Sequence, residues 1–421
     1  MERLAGHEID LPHLGIEAII SVVYKAQKMS AATNLSQADL LYDRFAGVLL
    51  GTAVGDALGL YLEGLEADSI QSQFSSPVDR YYLLGNIGFV SDDTEQSALI
   101  AQSLIKFPPD LDYSVNRFRA AMLGWFCRMP FGVGQATSYS CMKILMGSKN
   151  TGIRSAGNGA AMRAAILGAF FYDDSELRNQ YGIGLAHVTH TDARGVEGAL
   201  FVAELTAACI RAGLDTQAEV ISGTGVGQSF AGAKLDSENN GKTNGVVYGD
   251  ELLLRLYDQS IEVVHDKYLK EALSNARELA LEKASVDDAR KRLGCSGFVN
   301  HSVPLAVFTF LRFGDDPLTA IQSVIMAGGD TDSNAAIVGA LCGALHGESG
   351  LPMKLISQIN DGPFGPEHLR SLSKALVETK RGESAAAPGY LWPVAFARNV
   401  AVIPLLLSQT LLRLARRGKI T

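Results

Sequence analysis

Apolar residues recur along most of this chain at intervals of three and four, the spacing that stacks side chains on one face of an α-helix. The clearest run is residues 39–60, DLLYDRFAGVLLGTAVGDALGL, in which Gly47, Gly51, Gly55 and Gly59 stand four apart. Four residues is just over one helical turn, so these glycines share a face. Each weakens a helix by about 1 kcal/mol relative to alanine. Their repetition therefore predicts that another backbone or a ligand comes close to that face. Further helical patterns run over residues 95–106, 117–128, 160–171, 194–212, 250–284 and 304–313, then 317–327, 332–346 and 366–379. Strand-like alternation is scarce. The pattern predicts an all-α fold.

The periodicity also divides the chain. Residues 1–35 form an N-terminal extension with an amphipathic stretch, apolar at Ile16, Ile19, Ile20, Val23 and Ala26 and ending near Met29. Residues 36–378 form the main domain, within which 213–293 read as an insertion whose first part, 213–249, is a long glycine-rich polar loop ending in DSENNGKTNG. After the linker-like RGESAAAPG, the tail 379–421 closes on SQTLLRLARRGK, a short basic amphipathic helix. That helix suits packing on the body, or docking on a membrane surface or acidic partner.

Composition narrows the class. With 47% apolar and 19% charged residues, the chain has ample material for a packed core and is unlike a disordered protein. Its net charge of −8 hides an uneven split. The tail carries Lys380, Arg381, Arg398, Arg413, Arg416, Arg417 and Lys419 against Glu383, or +6, which leaves the rest at −14. An acidic body argues against general nucleic-acid binding, because phosphates are neutralised by clustered bases. Five cysteines with no C-x-x-C spacing predict reduced thiols and a cytoplasmic setting. No secretory signal is visible at the N-terminus, and no apolar run reaches the roughly 18 residues of a membrane span.

Two acid clusters stand where helices should begin. One is Ser91-Asp92-Asp93-Thr94-Glu95; the other is Asp330-Thr331-Asp332-Ser333-Asn334 after Gly328-Gly329. Each could simply cap its helix, and Asp92 with Glu95 fits a capping box. A cap needs one acceptor, however, and adjacent carboxylates repel unless a cation lies between them. Oxygen-only donors suit a hard divalent ion, and two facing clusters would make a binuclear site. A calcium loop of the EF-hand type fails at its sixth and twelfth positions, Ala335 and Leu341. The H-x-x-H spacing of His187 and His190 lacks a third zinc ligand nearby. Ser155-Ala156-Gly157-Asn158-Gly159 reads as a glycine turn opening a helix, where free N–H groups can receive a phosphate.

The motifs FAGVLLGTAVGDALGLYLEG, SDDT, GNGAAMRAAILG, HVTHTDARG and GGDTDSNAAIVGALCGALHG, in this order, resemble the ADP-ribosylglycohydrolases. The likeness is to the dinitrogenase-reductase-activating type and its ADP-ribosylarginine hydrolase relatives, and spans roughly residues 40–212 and 290–375. It implies a single orthogonal all-α domain that cleaves ADP-ribose from protein side chains with two magnesium or manganese ions. Ser91, Asp92 and Asp93, with Asp330, Asp332 and Ser333, would be metal ligands; serine replaces the commoner threonine at Ser91 and Ser333. Glu63 falls where the family has an acid near the attacking water, seven residues after Asp56 and so on about the same helical face. Glu63, Asp92 and Asp93 are the implied catalytic acids, unranked. Gly157, Asn158, Gly159 and His190, the last in the Thr189-His190 pair, would touch substrate. The implied substrate is an ADP-ribosylated protein, with arginine the expected linkage. Some bacterial relatives are immunity proteins whose N-terminal extension blocks an ADP-ribosyltransferase toxin, which gives residues 1–35 a second reading. A catalytically silent structural homologue is the remaining alternative.

Overall fold

The computed structural model describes residues 36–222, 233–235 and 246–417. The N-terminal extension with its Ile16–Met29 stretch, and the whole DSENNGKTNG segment, lie outside the described residues. Those described form seventeen α-helices and one two-stranded antiparallel hairpin, Ala233–Leu235 with Val246–Tyr248. The fold is all-α as the periodicity predicts.

Its centre is a pair of antiparallel helices. The glycine helix, Gln37–Gly59, starts at a capping box in which Ser36 and Asp39 satisfy each other's backbone N–H groups. The second, Thr331–His346, runs back along it. Gly47 faces Gly343, Gly51 faces Gly339, Gly55 faces Ala335 and Gly59 faces Thr331, each backbone to backbone. The close partner predicted from the glycine spacing is thus another helix. Although Gln37–Leu62 is long and apolar enough to cross a membrane, 94% of its apolar window is buried in the protein. Hydrophobic burial in the core accounts for its composition.

Other helices wrap this pair. Pro366–Lys380 packs on the glycine helix, and Val299–Phe313, Pro317–Met326 and Ala193–Ser222 pack on its partner. Phe45, Phe118, Trp125, Phe201 and Phe308 fill the core between them.

Several expected boundaries differ. The 250–284 pattern is two helices, Asp250–Ser260 and Lys267–Leu281, because a 3-10 turn intervenes and Asp266 caps a new start. The 160–171 pattern holds a helix only over Ala165–Phe170. The basic tail helix spans Trp392–Arg417, so it begins well before Ser408. All five cysteines are unpaired.

Candidate active site

The antiparallel crossing brings the C-terminal end of the glycine helix beside the N-terminal end of Thr331–His346, where Thr331 Oγ1 donates to the Gly59 carbonyl at 2.9 Å. Asp56, one turn earlier, and Asp332 are therefore neighbours. The first acid cluster opens the helix Asp92–Leu104, which meets the same junction. One carboxylate oxygen from each of Asp56, Asp93 and Asp332 lies within 4.8 Å of the other two. Ser333 Oγ reaches Asp93 at 3.4 Å, so the two predicted clusters do face each other.

Neither cluster is spent on capping its own helix. Ser91 and Asp330 occupy the cap positions, yet the side chains of both make no capping hydrogen bond. The capping box expected of Asp92 and Glu95 is absent, since Glu95 turns away to accept from Trp125 Nε1 at 2.7 Å and Arg128 Nη2 at 2.9 Å. Asp56 supplies the cap from another helix: its carboxylate accepts from the Ser91 N–H at 2.9 Å and the Thr94 N–H at 3.1 Å.

A cluster of buried acids without a cation is electrostatically unfavourable. Burial pushes the Asp56 carboxyl up to about 6 against the lowering effect of its hydrogen bonds with Thr94 and Ser91. Burial, reinforced by Asp93, holds Asp92 well above the carboxylate range. Asp93 is raised by burial and then by Asp56, and Asp332 by burial and then by Glu63. Asp93 Oδ1 is buried with no hydrogen-bond partner. An orphaned carboxylate oxygen among three convergent all-oxygen donors fits a hard divalent cation. The chemistry of the residues present therefore accommodates a metal.

The acids sit at one end of a pocket of about 690 Å³, within the range of small-molecule sites. Glu63, Asp92, Asp330, Asp332 and Ser333 line that end. Ser91 and Asp93 lie behind it, buried. Glu63 reaches the pocket, though not along a helical face: the helix stops at Gly59, a 3-10 turn covers Leu60–Leu62, and Glu63 follows with ψ of 132°, outside the helical region. Gly328 and Gly329 hold φ of +75° and +78°, which turns the chain so that Asp330 enters.

Gly157, Asn158, Gly159 and His190 line the same pocket. The segment Asn158–Ala160 is a 3-10 turn, so no helix opens there. The Gly157 N–H donates to Ser155 Oγ at 3.2 Å and the Asn158 N–H to the Gly297 carbonyl at 2.9 Å, so neither is free for a phosphate. The Asn158 amide donates to Asp330 Oδ2 at 2.7 Å and to Ser302 at 3.0 Å, which fixes that acid.

A buried polar chain links His190 to Asp92. His190 Nδ1 pairs with Thr189 Oγ1 at 2.8 Å, which accepts from Arg163 Nη2 at 2.5 Å. Arg163 Nη1 donates to Gln96 Oε1 at 2.6 Å, and Gln96 Nε2 donates to Asp92 Oδ2 at 2.9 Å. Burial lowers the Arg163 guanidinium to about 10 and, with Arg163 nearby, His190 to about 3, so the imidazole is neutral. Neither Arg163 nor Gln96 stands out in the sequence, because a polar residue inside a helix or turn does not declare its partner.

The chain is 27% identical to a protein of Archaeoglobus fulgidus over 76% of its own length and 93% of that protein's. It is 27% identical to the ADP-ribosylhydrolase ARH3 of Xenopus tropicalis, over 74% of this chain and 89% of that one. A solved structure described as an ADP-ribosylglycohydrolase-related protein complex shares the fold, with TM-score 0.55, 24% identity, and coverage of 81% of this chain and 99% of that chain. A family profile described as ADP-ribosylglycohydrolase matches residues 37–386, and the chain belongs to that family.

Proposed function

We propose that the protein removes ADP-ribose from modified protein side chains, with arginine the preferred linkage and two magnesium or manganese ions as cofactors. The observation that carries this reading is the convergence of Asp56, Asp93 and Asp332, with the unpartnered Asp93 Oδ1, at one end of the pocket. Ser91, Asp92, Asp93, Asp330, Asp332 and Ser333, with Asp56 added, would hold the ions. A divalent ion there, when bound, supplies positive charge for the ribose hydroxyls and for water at the anomeric carbon.

The residues of the chain do the rest. Gln96 holds Asp92 and Asn158 holds Asp330, so both acids are oriented before substrate arrives. Glu63 is exposed at the pocket wall, which supports it as the group that takes the proton from water. Asp93 lies behind the wall, which supports a ligand role in preference to proton transfer. Water adds at the anomeric carbon and gives its proton to Glu63, the bond to the side-chain nitrogen breaks with its electron pair going to that nitrogen, and the neutral guanidine released takes the proton back to become guanidinium. Glu63, an acid at the pocket wall outside the proposed metal ligands, supports a cationic leaving group such as guanidinium over an alkoxide.

The test is parallel incubation with arginine-linked and serine-linked ADP-ribosylated protein, with each ion and after chelation, measuring ADP-ribose released. Faster release from arginine that requires the ion supports the proposal. Faster release from serine would overturn the linkage, and no release from either would favour the silent homologue.

A further inference from the structure

We propose that the C-terminal helix, Trp392–Arg417, is a brace for the active site, and that Arg398 is a positioning residue acting through Glu95. The inference rests on the hydrolase reading above. The helix lies beyond the family match, which ends at residue 386, so nothing in that match accounts for it.

The contacts are specific. Glu95 stands two residues after Asp93 in the first turn of the acidic helix and is 1% exposed. A carboxylate this deep requires charged partners. It has two: Arg128 at 2.9 Å, and Arg398 from the tail. Arg398 Nη1 also donates to the Pro363 carbonyl at 3.0 Å. Its neighbour Asn399 is fully buried and donates through Nδ2 to the Arg128 carbonyl at 3.0 Å, while its Oδ1 accepts from Arg398. Trp392 Nε1 donates to the Gly124 carbonyl at 2.9 Å.

These bonds hold the start of a pocket wall. Arg128 leads into Met129, with φ of +55°, then Phe131 and Gly132, with φ of +80°. Phe131 packs in a small cluster with Val402 of the tail, Leu60 and Leu83. Gly132, Gly134 and Gln135 then line the pocket, and a Cβ on Gly132 would stand 2.5 Å from Asp92 Oδ1. The tail thus grips the acidic helix through Glu95 and the adjoining wall through Arg128 and Phe131. Both surfaces meet at Asp92.

A merely structural role would predict lost stability and unchanged turnover per folded molecule. Arg398 separates the two, because Glu95 keeps Arg128 when Arg398 is removed. Replacing Glu95 instead would leave two buried cations and threaten the fold. The experiment uses the full chain as wild type, Arg398→Ala and Arg398→Lys. It measures kcat and KM on whichever linkage the wild type cleaves, melting temperature, and amide exchange over residues 128–134.

The expected result is a fall in kcat of about ten- to hundredfold in Arg398→Ala, as for lost partners that orient ligating groups. KM changes less, exchange over 128–134 rises, and lysine restores part of both because it returns the charge without the second donor. Wild-type kcat per folded molecule in Arg398→Ala, or unchanged exchange over 128–134, would overturn the brace. A wild type inactive on both linkages sinks the hydrolase reading instead, and the exchange comparison alone then decides whether Arg398 holds the wall.

Discussion

Gly51 and Gly339 touch backbone to backbone: a Cβ on Gly51 would stand 2.0 Å from the Gly339 carbonyl oxygen, and one on Gly339 would stand 2.1 Å from that of Gly51. No side-chain rotation relieves either contact, because both partners are main chain. Gly51→Ala should therefore force the helices apart and destabilise the fold by about 3 kcal/mol, the upper part of the overpacking range. It should also cut activity in the molecules that remain folded, since the same crossing sets Asp56 beside Asp332. Denaturant unfolding and turnover per folded molecule measure the two effects.

That contact was half legible in the sequence. The four-residue glycine spacing announced a close approach, and the helical periods located most of the core. The acid clusters were visible because several carboxylates crowd two short helix starts. What the sequence concealed was pairing across the chain. Asp56 caps a helix other than its own, and Glu95 abandons its local capping box for Trp125, Arg128 and Arg398. Arg163 and Gln96 were hidden for the same reason: their partners are fixed by tertiary packing, which no local spacing encodes.

The unpartnered Asp93 oxygen predicts how the metal-free protein behaves. Asp93→Asn removes one charge from a crowded buried cluster, so it should raise the melting temperature of chelated protein. The same variant should lose the stabilisation that magnesium or manganese gives the wild type, about 2.7 kcal/mol when the ion stands a hundredfold above its Kd. Melting curves with and without ion check both directions. The sign with pH follows from Asp56, raised from 3.8 to about 6. Stability from a carboxyl raised on folding is full below the unfolded value and is lost as pH rises through the folded one. Chelated wild type should then melt lower at about pH 7.5 than at about pH 5, and added ion should narrow the gap.

His190 should be silent where histidines usually titrate. Its pKa falls from 6.5 to about 3, first through burial and then through Arg163. The stability it contributes is complete above 6.5 and is lost as pH falls toward the folded value, so a neutral ring faces the pocket at physiological pH. Ring resonances of His190 followed by NMR should not move between roughly pH 5 and 8. A midpoint near 6.5 would show that the ring is solvated and the Thr189 contact broken.

The orientation of Gln96 gives the sharpest separation of turnover from folding. Arg163 can only donate, so Gln96 must present its oxygen to Arg163 and its amide to Asp92. Gln96→Glu keeps an acceptor for Arg163, and even offers that buried cation a counter-charge. Toward Asp92, however, it replaces a donor with a repelling oxygen. The folded state should hold, with a melting temperature at or above wild type, while kcat falls about ten- to hundredfold. Arg163→Lys tests the same chain from its centre: a single ammonium on a flexible stem does not hold Gln96 and Thr189 in one fixed fork. It should lower kcat as well, but with lost stability, because a buried planar donor is replaced by one that fits its acceptors less well. If Gln96→Glu turned over at the wild-type rate, Asp92 would not depend on that hydrogen bond, and the buried chain from His190 would be packing alone.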